Sequence, residues 1–343
     1  MTTDGIQSEE QLDSVLTQPR PVLIDFIRSV SSPLVILGAG GKMGVTVAVQ
    51  ARRAADAAGS KLEIIAVSRF SDEAARRRIE EQGVKTHCAD LLEPDSVRDL
   101  PDSADVIYLV GLKFGTTENP SLTWAVNTLA AANAAGRYRS ARIVALSTGN
   151  VYPNVTVDSG GVKESHALTP LGEYPNAAVA RERVFEYCSR KNGTPVAMIR
   201  LNYSVELRYG VLVDIARKVW AGEPIDLANG SFNCIWQGDA CEMILRALSL
   251  ASNPPSAFNL CCPTIVSVRE VASKFAGLFG RSARFAGSES GTALLSDSAK
   301  LCAQLGPPAT SLDTVIRWTA DWVRSGGRYL DKPTHFEVRD GQY

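Results

Sequence analysis

Apolar positions along this chain fall into two rhythms. Short, largely apolar runs recur at Leu34–Leu37, Glu63–Val67, Val84–Cys88, Val106–Val110 and Ile143–Leu146. Between them lie stretches of helical content, notably Asp72–Gln82 and Leu122–Ala135. Short apolar runs bounded by turn residues read as strands buried on both faces, and strands alternating with helices build a parallel sheet covered on both sides. The expected fold class is therefore α/β, a doubly wound parallel sheet. Upstream, Ser8 and Gln11 have the spacing of a capping box for a helix running to Leu16, and Pro21–Ile27 reads as a second helix packing on the main body. From about residue 203 the elements become less regular. Helices are predicted over Gly210–Gly222, Asp239–Ala251, Ser267–Gly280 and Leu312–Val323. Trp318 and Trp322, one turn apart in the last of these, mark a core-facing stripe. Proline and glycine clusters at 153–172 and 253–264 read as loops.

The first strand runs directly into Gly38-Ala39-Gly40-Gly41-Lys42-Met43-Gly44, and a helix-compatible run, Val45–Ala51, follows. Strand, glycine turn and helix in that order suit a dinucleotide pyrophosphate. One glycine permits the tight turn, another lets backbone approach phosphate, and a third lets helix and strand pack closely, while the helix N-terminus offers free N–H groups. Gly38, Gly40, Gly41, Lys42, Met43 and Gly44 are accordingly the first cofactor-binding candidates. In such Rossmann-type sheets ligands bind beyond the C-terminal strand ends. That rule adds Ser68 and Arg69 after the second strand, Asp90 and Leu91 after the third, Gly111 and Lys113 after the fourth, and Asn127 in the helix that follows. Asp90 equally suits a helix cap. Where an NAD site wants a carboxylate for the ribose 2′-hydroxyl, this chain has Ser68-Arg69, and an arginine there suits a 2′-phosphate. The expected cofactor is NADP or NAD, with NADP favoured. The expected organisation is a helical extension at 1–32, an NAD(P)-binding domain at 33–202, and a smaller α/β substrate-binding region with a tail at 203–343.

Bulk properties narrow the partners. The 343 residues carry 36 basic and 37 acidic side chains, a formal net charge of −1, which gives no electrostatic case for nucleic acid or an anionic membrane. Seven cysteines are scattered without a C-x-x-C pair and only three histidines are present, so no metal site is expected. The N-terminus begins no apolar signal segment, and no run approaches the roughly 18 apolar residues of a membrane span. A soluble, cytoplasmic protein with reduced thiols is the expectation.

At Ile143–Tyr152 the chain begins to resemble the extended short-chain dehydrogenase/reductases, the NAD-dependent epimerase/dehydratase group, and the resemblance spans almost the whole sequence. Gly38, Gly41 and Gly44 resemble its glycine turn, Asp90-Leu91 its adenine-side motif, and Gly111-Leu112-Lys113 the segment where a lysine touches cofactor. Thr148 falls on the catalytic Ser/Thr position. Tyr174 falls on the catalytic tyrosine, with Glu182 eight residues later as the pattern expects. Val196–Asn202 resembles the strand leading to the substrate loop, and Phe258-Asn259-Leu260 with the Ser267 helix the C-terminal substrate region. The resemblance implies hydride transfer from a carbinol of a carbohydrate-like alcohol, with Tyr174 as base and Thr148 holding the reacting oxygen. A free phenol titrates near pH 10, so a base working near neutrality needs roughly 3 units, about 4 kcal/mol, of differential stabilisation.

Two departures stand out. The family's lysine four residues after the tyrosine is replaced by Ala178, leaving the oxidised cofactor ring, Lys113 or Arg181 to supply positive charge, with Lys113 preferred. The arginine that many nucleotide-sugar members carry seven residues before the equivalent of Asp239 is replaced by Phe232. That loss favours a smaller polyol, sugar acid or sugar derivative, with Asn150, Asn202, Arg208, Asn233, Trp236 and Gln237 as candidate substrate contacts. The alternative is a catalytically degenerate NAD(P)-binding regulator or scaffold. A dehydratase-like lyase would need a carboxylate beside Thr148, and Gly149-Asn150 supplies none. The family's mode of dimerisation implies a homodimer through the helices bearing Asn127 and Tyr174, which carry Leu129, Ala130, Ala132, Ala177, Ala178, Ala180 and Val184. The tail from Lys332 to Asp340 is a candidate to fold back over the substrate loop.

Overall fold

The computed structural model describes residues 5–113, 115, 118–330, 334 and 336–339. Its main sheet has seven strands: β1 (Leu34–Leu37), β2 (Ile64–Ser68), β3 (Lys85–Cys88), β4 (Asp105–Tyr108), β5 (Arg142–Thr148), β6 (Val196–Leu201) and β7 (Ser256–Leu260). The order across the sheet is β7-β6-β5-β4-β1-β2-β3, and every pairing is parallel. Leu34 pairs with Ile64 on one side and Asp105 on the other, so β1 is central and the strand order reverses between β1 and β4. The continuous apolar run of β1 explains its place. Leu34 and Ile36 enter one core with Val47 and Ile244, while Val35 and Leu37 enter another with Ala134 and Phe185. A period of two thus feeds a separate helical layer on each face.

The helices are α1 (Glu9–Leu16), α2 (Pro21–Ile27), α3 (Gly44–Ala57), α4 (Glu73–Glu81), α5 (Pro94–Arg98), α6 (Pro120–Arg137), α7 (Glu173–Asn192), α8 (Val211–Ala221), α9 (Gln237–Arg246), α10 (Val268–Phe279), α11 (Ala299–Leu305) and α12 (Leu312–Arg324). Ser267 and Glu270 form the full capping box expected at α10. At α1 only half of one forms: Ser8 accepts from the Gln11 N–H, but the Gln11 side chain accepts from Gln7 instead. The predicted helix 239–251 becomes α9 followed by a 3-10 turn, Ala247–Leu250. Trp322 is buried in the second lobe, and Trp318 packs edge-on to Trp236 at 5.4 Å between centroids.

Elements from beyond the expected boundary at 202/203 return to the sheet. β7 returns to pair with β6, and α9 packs on α3 in the core of the sheet. The helical extension expected at 1–32 packs, over its described residues, on both cores. Leu12 and Leu16 of α1 enter the second-lobe core with Leu212 and Phe232, whereas Leu23 and Ile27 of α2 enter the sheet core. The strap between them is pinned by ions. Arg20 pairs with the buried Glu242 of α9, and Arg208 holds Glu206, Glu9 and Asp13 at 3.1, 3.2 and 2.9 Å. Of the tail, Lys332, Pro333, His335 and Asp340 lie outside the described residues. Phe336 is buried in the second-lobe core and Arg339 donates to the Thr292 carbonyl and to Asn229.

Glu206 is almost fully buried, so truncating its partner leaves a carboxylate without its main counter-charge. Arg208→Ala should lower stability by about 3 kcal/mol, read as a reduced denaturant midpoint at unchanged slope.

Candidate functional site

The glycine turn sits at the C-terminal end of β1, where the strand order reverses. Gly38 has φ +85°, in the left-handed region, and its N–H donates to the Val67 carbonyl at 2.8 Å. A side chain there would also meet the backbone nitrogen of Val110 on the neighbouring strand end at 3.0 Å. At Gly44 a Cβ would lie 2.5 Å from the Ala39 Cα, so only glycine lets α3 start this close to β1. A cleft of about 260 Å³ opens beside the turn, walled by Gly38, Gly40 and Gly41, by Ser68 and Arg69, by Asp90 and Leu91, and by Gly111. Four strand ends therefore bring most of the predicted cofactor residues to one hollow. Gly40 leaves room for the Ser68 hydroxyl, which a Cβ would meet at 2.7 Å. These residues fit a dinucleotide: bare backbone faces the hollow at the phosphate end, and polar side chains face it at the ribose end.

Arg69 is 65% exposed, and its guanidinium lies 3.8 Å from the Asp90 carboxylate. Asp90 also accepts from the Leu92 N–H in the turn after β3; the N-cap of α5 is Glu93, so Asp90 caps no helix. Two cofactor candidates are placed differently from expectation. Met43 precedes α3 and packs its side chain against the sheet core. Asn127 is fully buried. It donates to the Leu112 carbonyl at 3.1 Å and accepts from Arg181 at 2.8 Å, so it shapes the end of β4 from behind.

The catalytic candidates stand on the next two elements. Thr148 ends β5, where its hydroxyl accepts from the Asn150 N–H and donates to the Asn150 side-chain oxygen, both at 3.2 Å. Tyr174 is buried in the first turn of α7. A single polar network joins these elements. Arg200 on β6 makes hydrogen bonds of 3.0 and 2.7 Å to Glu182 on α7, and Glu182 also accepts from Ser147, the neighbour of Thr148, at 2.5 Å. Arg200 also donates to the Tyr152 hydroxyl, which donates to Asn259. Desolvation works against the Arg200 charge, but the hydrogen bonds and field of Glu182 outweigh it, so the guanidinium pKa is raised.

Ala178 is fully buried in a dry cluster with Val151, Tyr152, Val162 and Leu294. Arg181 is committed to Asn127 and to the Val110 carbonyl. Two lysines follow the ends of β1 and β4. Desolvation lowers Lys113 to about 8. Lys42 is lowered to about 7, first by desolvation, with Glu206 opposing the shift and Lys113 adding to it. Lys42 is exposed, so solvent screening weakens that lowering. Its ammonium lies 3.2 Å from the centroid of the Tyr209 ring.

Most of the predicted substrate contacts are scaffold. Arg208 is saturated by three carboxylates. Asn202 donates to Asn233 at 2.8 Å, and Asn233 donates to the Ser296 carbonyl at 2.6 Å, both side chains fully enclosed. Gln237 donates to Thr46 at 3.0 Å inside the core, and Trp236 is buried against Trp318. Asn150 stays half-buried beside Thr148. Tyr209, on the Glu206–Gly210 loop, carries no signal in the sequence, because its partner Lys42 lies in a different lobe.

No helix among the described residues is long and apolar enough to cross a membrane. Among curated proteins none matches this sequence. Solved structures do. The Thermus thermophilus UDP-glucose 4-epimerase, complexed with NAD, is 20% identical with a TM-score of 0.68, covering 85% of this chain and 99% of its own. The Bacillus cereus UDP-glucuronic acid 4-epimerase, complexed with UDP-glucuronic acid and NAD, is 17% identical with a TM-score of 0.70 over 85% and 99%. The Thermotoga maritima UDP-glucose 4-epimerase, with UDP-glucose, is 17% identical with a TM-score of 0.69 over 86% and 99%. At these identities the likeness establishes the fold. Residues 34–261 match the NAD dependent epimerase/dehydratase family, well over half of the chain, and the protein is an enzyme belonging to that family.

Proposed function

We propose that the protein transfers hydride between NAD(P) and a carbinol carbon of a carbohydrate-like alcohol, as an oxidoreductase or an epimerase. The observation that carries this reading is the common mounting of Thr148 and Tyr174, on two elements joined by Arg200 and Glu182, beside the glycine-turn cleft. Bound nicotinamide supplies the hydride acceptor. Gly38, Gly40 and Gly41 would hold the pyrophosphate at the N-terminus of α3, Ser68 and Arg69 the adenosine ribose, and Asp90 and Leu91 the adenine. Tyr174 takes the hydroxyl proton, while Thr148 turns its hydroxyl from Asn150 to the substrate oxygen. Lys113, at the end of β4, holds the nicotinamide side of the cofactor.

Arg69 supports NADP over NAD, because it is mostly exposed and its contact with Asp90 is long enough to yield to a phosphate. Two of the solved structures, from Thermotoga maritima and Bacillus cereus, are bound to UDP-sugars. Phe232 of this chain is buried in the second-lobe core and offers no charge to a nucleotide pyrophosphate, which supports a smaller sugar acid or sugar derivative. A homodimer through α6 and α7 is supported by their side-by-side packing and by the exposure of Leu129 and Tyr187, 58% and 63%.

Tyr174→Phe should reduce turnover of a sugar or sugar-acid panel by roughly 10²–10⁴-fold while leaving NAD(P) affinity within about twofold. Unchanged turnover would remove Tyr174 from the chemistry, and no turnover in either protein would favour the regulator reading. Arg69→Ala should weaken NADP by about tenfold and leave NAD nearly untouched in calorimetric titrations; equal losses for both cofactors would refute the assignment. Leu129→Glu should shift the light-scattering mass from dimer to monomer, and an unaltered mass would place the interface elsewhere.

A further inference from the structure

A second hollow, of about 230 Å³, lies among α1, α3, α9 and α12, and it shares no lining residue with the glycine-turn cleft. A cavity of roughly 150 Å³ accepts a benzene ring, so this one has room for a ring with a short side chain. Its rim is exposed at Ser14, Gln18 and Ala309, and its walls include Trp236, Trp318, Gln50 and Asp239. The two indoles pack edge to face with centroids 5.4 Å apart, Trp236 buried and Trp318 half-buried. Gly238 keeps this corner open, because a Cβ there would lie 2.7 Å from the Trp236 indole nitrogen and 3.0 Å from the Leu16 carbonyl.

These walls hold acceptors with capacity to spare. Gln50 is 2% exposed, and its amide nitrogen donates to the Gly238 carbonyl at 3.2 Å. Its Oε1 has no hydrogen-bond partner among the described residues. A buried carbonyl oxygen left in that state is costly and calls for a donor. Asp239, the residue after Gly238, is 6% exposed. Its two oxygens take one donor each, the Thr310 N–H at 2.7 Å and the Thr310 hydroxyl at 3.3 Å, and both donors are neutral. The guanidinium in the same wall, Arg20, is given to Glu242, which Arg246 also holds at 3.3 Å. Burial raises the Asp239 carboxyl above its ordinary pKa, against the Thr310 bonds and the field of Arg20.

A carboxylate with only neutral donors, an unfilled amide oxygen and two indole rings suit a ligand that brings N–H donors, positive charge and an apolar body. A carboxylate or phosphate ligand would meet Asp239 as a like charge and offer the Gln50 oxygen no donor. We propose that this hollow is a second binding site of the protein, for a compact organic ammonium. Asp239 and the Gln50 Oε1 accept from the ammonium, and Trp236 and Trp318 hold the apolar body. None of these four residues lines the cleft assigned to hydride transfer.

Calorimetric titration of the full chain near neutral pH with three probes of matched size tests the site: phenethylammonium chloride, neutral 2-phenylethanol and anionic phenylacetate. Phenethylammonium should saturate one site per chain with a dissociation constant of about 1 mM or tighter. Its affinity should exceed that of 2-phenylethanol by about tenfold, and phenylacetate should not bind. Asp239→Asn, which keeps the shape of the side chain, should weaken phenethylammonium by about tenfold and leave 2-phenylethanol within about twofold. Trp318→Leu, at a half-buried position, should weaken phenethylammonium by roughly fivefold, and it decides the matter if Asp239→Asn does not fold. No saturable binding of phenethylammonium, or equal affinities for the ammonium and the alcohol, overturns the proposal. So does wild-type affinity in folded Asp239→Asn or Trp318→Leu protein, which would place the probe elsewhere.

Discussion

The ion pair between Arg200 and Glu182 holds the two halves of the candidate site in register. Both side chains are nearly enclosed, 6% and 3% exposed, and they join β6 to α7 through hydrogen bonds of 3.0 and 2.7 Å. Ser147 binds the same carboxylate one residue before Thr148, and Tyr174 lies on the same helix as Glu182. Thr148 and Tyr174 are therefore hung from one charge pair, by a strand on one side and a helix on the other. A buried pair of this kind recovers its desolvation cost only when its remaining hydrogen-bonding capacity is filled. Here the Tyr152 hydroxyl and the Glu164 carbonyl fill it for Arg200, and Ser147 does so for Glu182. The arrangement fixes geometry more than it adds stability.

The second lobe is tied to that frame by the chain on either side of it. α2 is packed in the sheet core and α1 in the second-lobe core, so residues 5–27 bridge both. Arg208 then bolts α1 to the loop that carries Tyr209. The loop facing the glycine turn is held from behind by carboxylates contributed almost two hundred positions earlier in the chain.

What could be read from the sequence follows from how locally each property is encoded. β1, β2, β4 and β5 are continuous apolar runs because both faces are buried, and their existence was legible within a residue or two. The glycine turn was legible because Gly38 and Gly44 are demanded by backbone geometry, which leaves a mark on the sequence itself. Polar residues in irregular segments leave no such mark. Asn202, Asn233 and Gln237 have the chemistry of hydroxyl readers, yet each satisfies a buried partner, and nothing local distinguishes the two uses. Arg208 has the chemistry of an anion site, and its partners Glu9 and Asp13 stand 199 and 195 positions away. The boundary expected at 202/203 rests on a local change of the same kind. The change to irregular elements is real, but β7 and α9 return to the sheet after it.

Ala178 connects these points. A lysine at that position would place its stem among Val151, Tyr152, Val162 and Leu294. An unpaired ammonium confined there would cost several kcal/mol. The small residue is thus coupled to the way Val162 and Leu294 close over α7, and the two features have to change together. That face of α7 is closed by apolar side chains, so a cation for the candidate site has to come from another element.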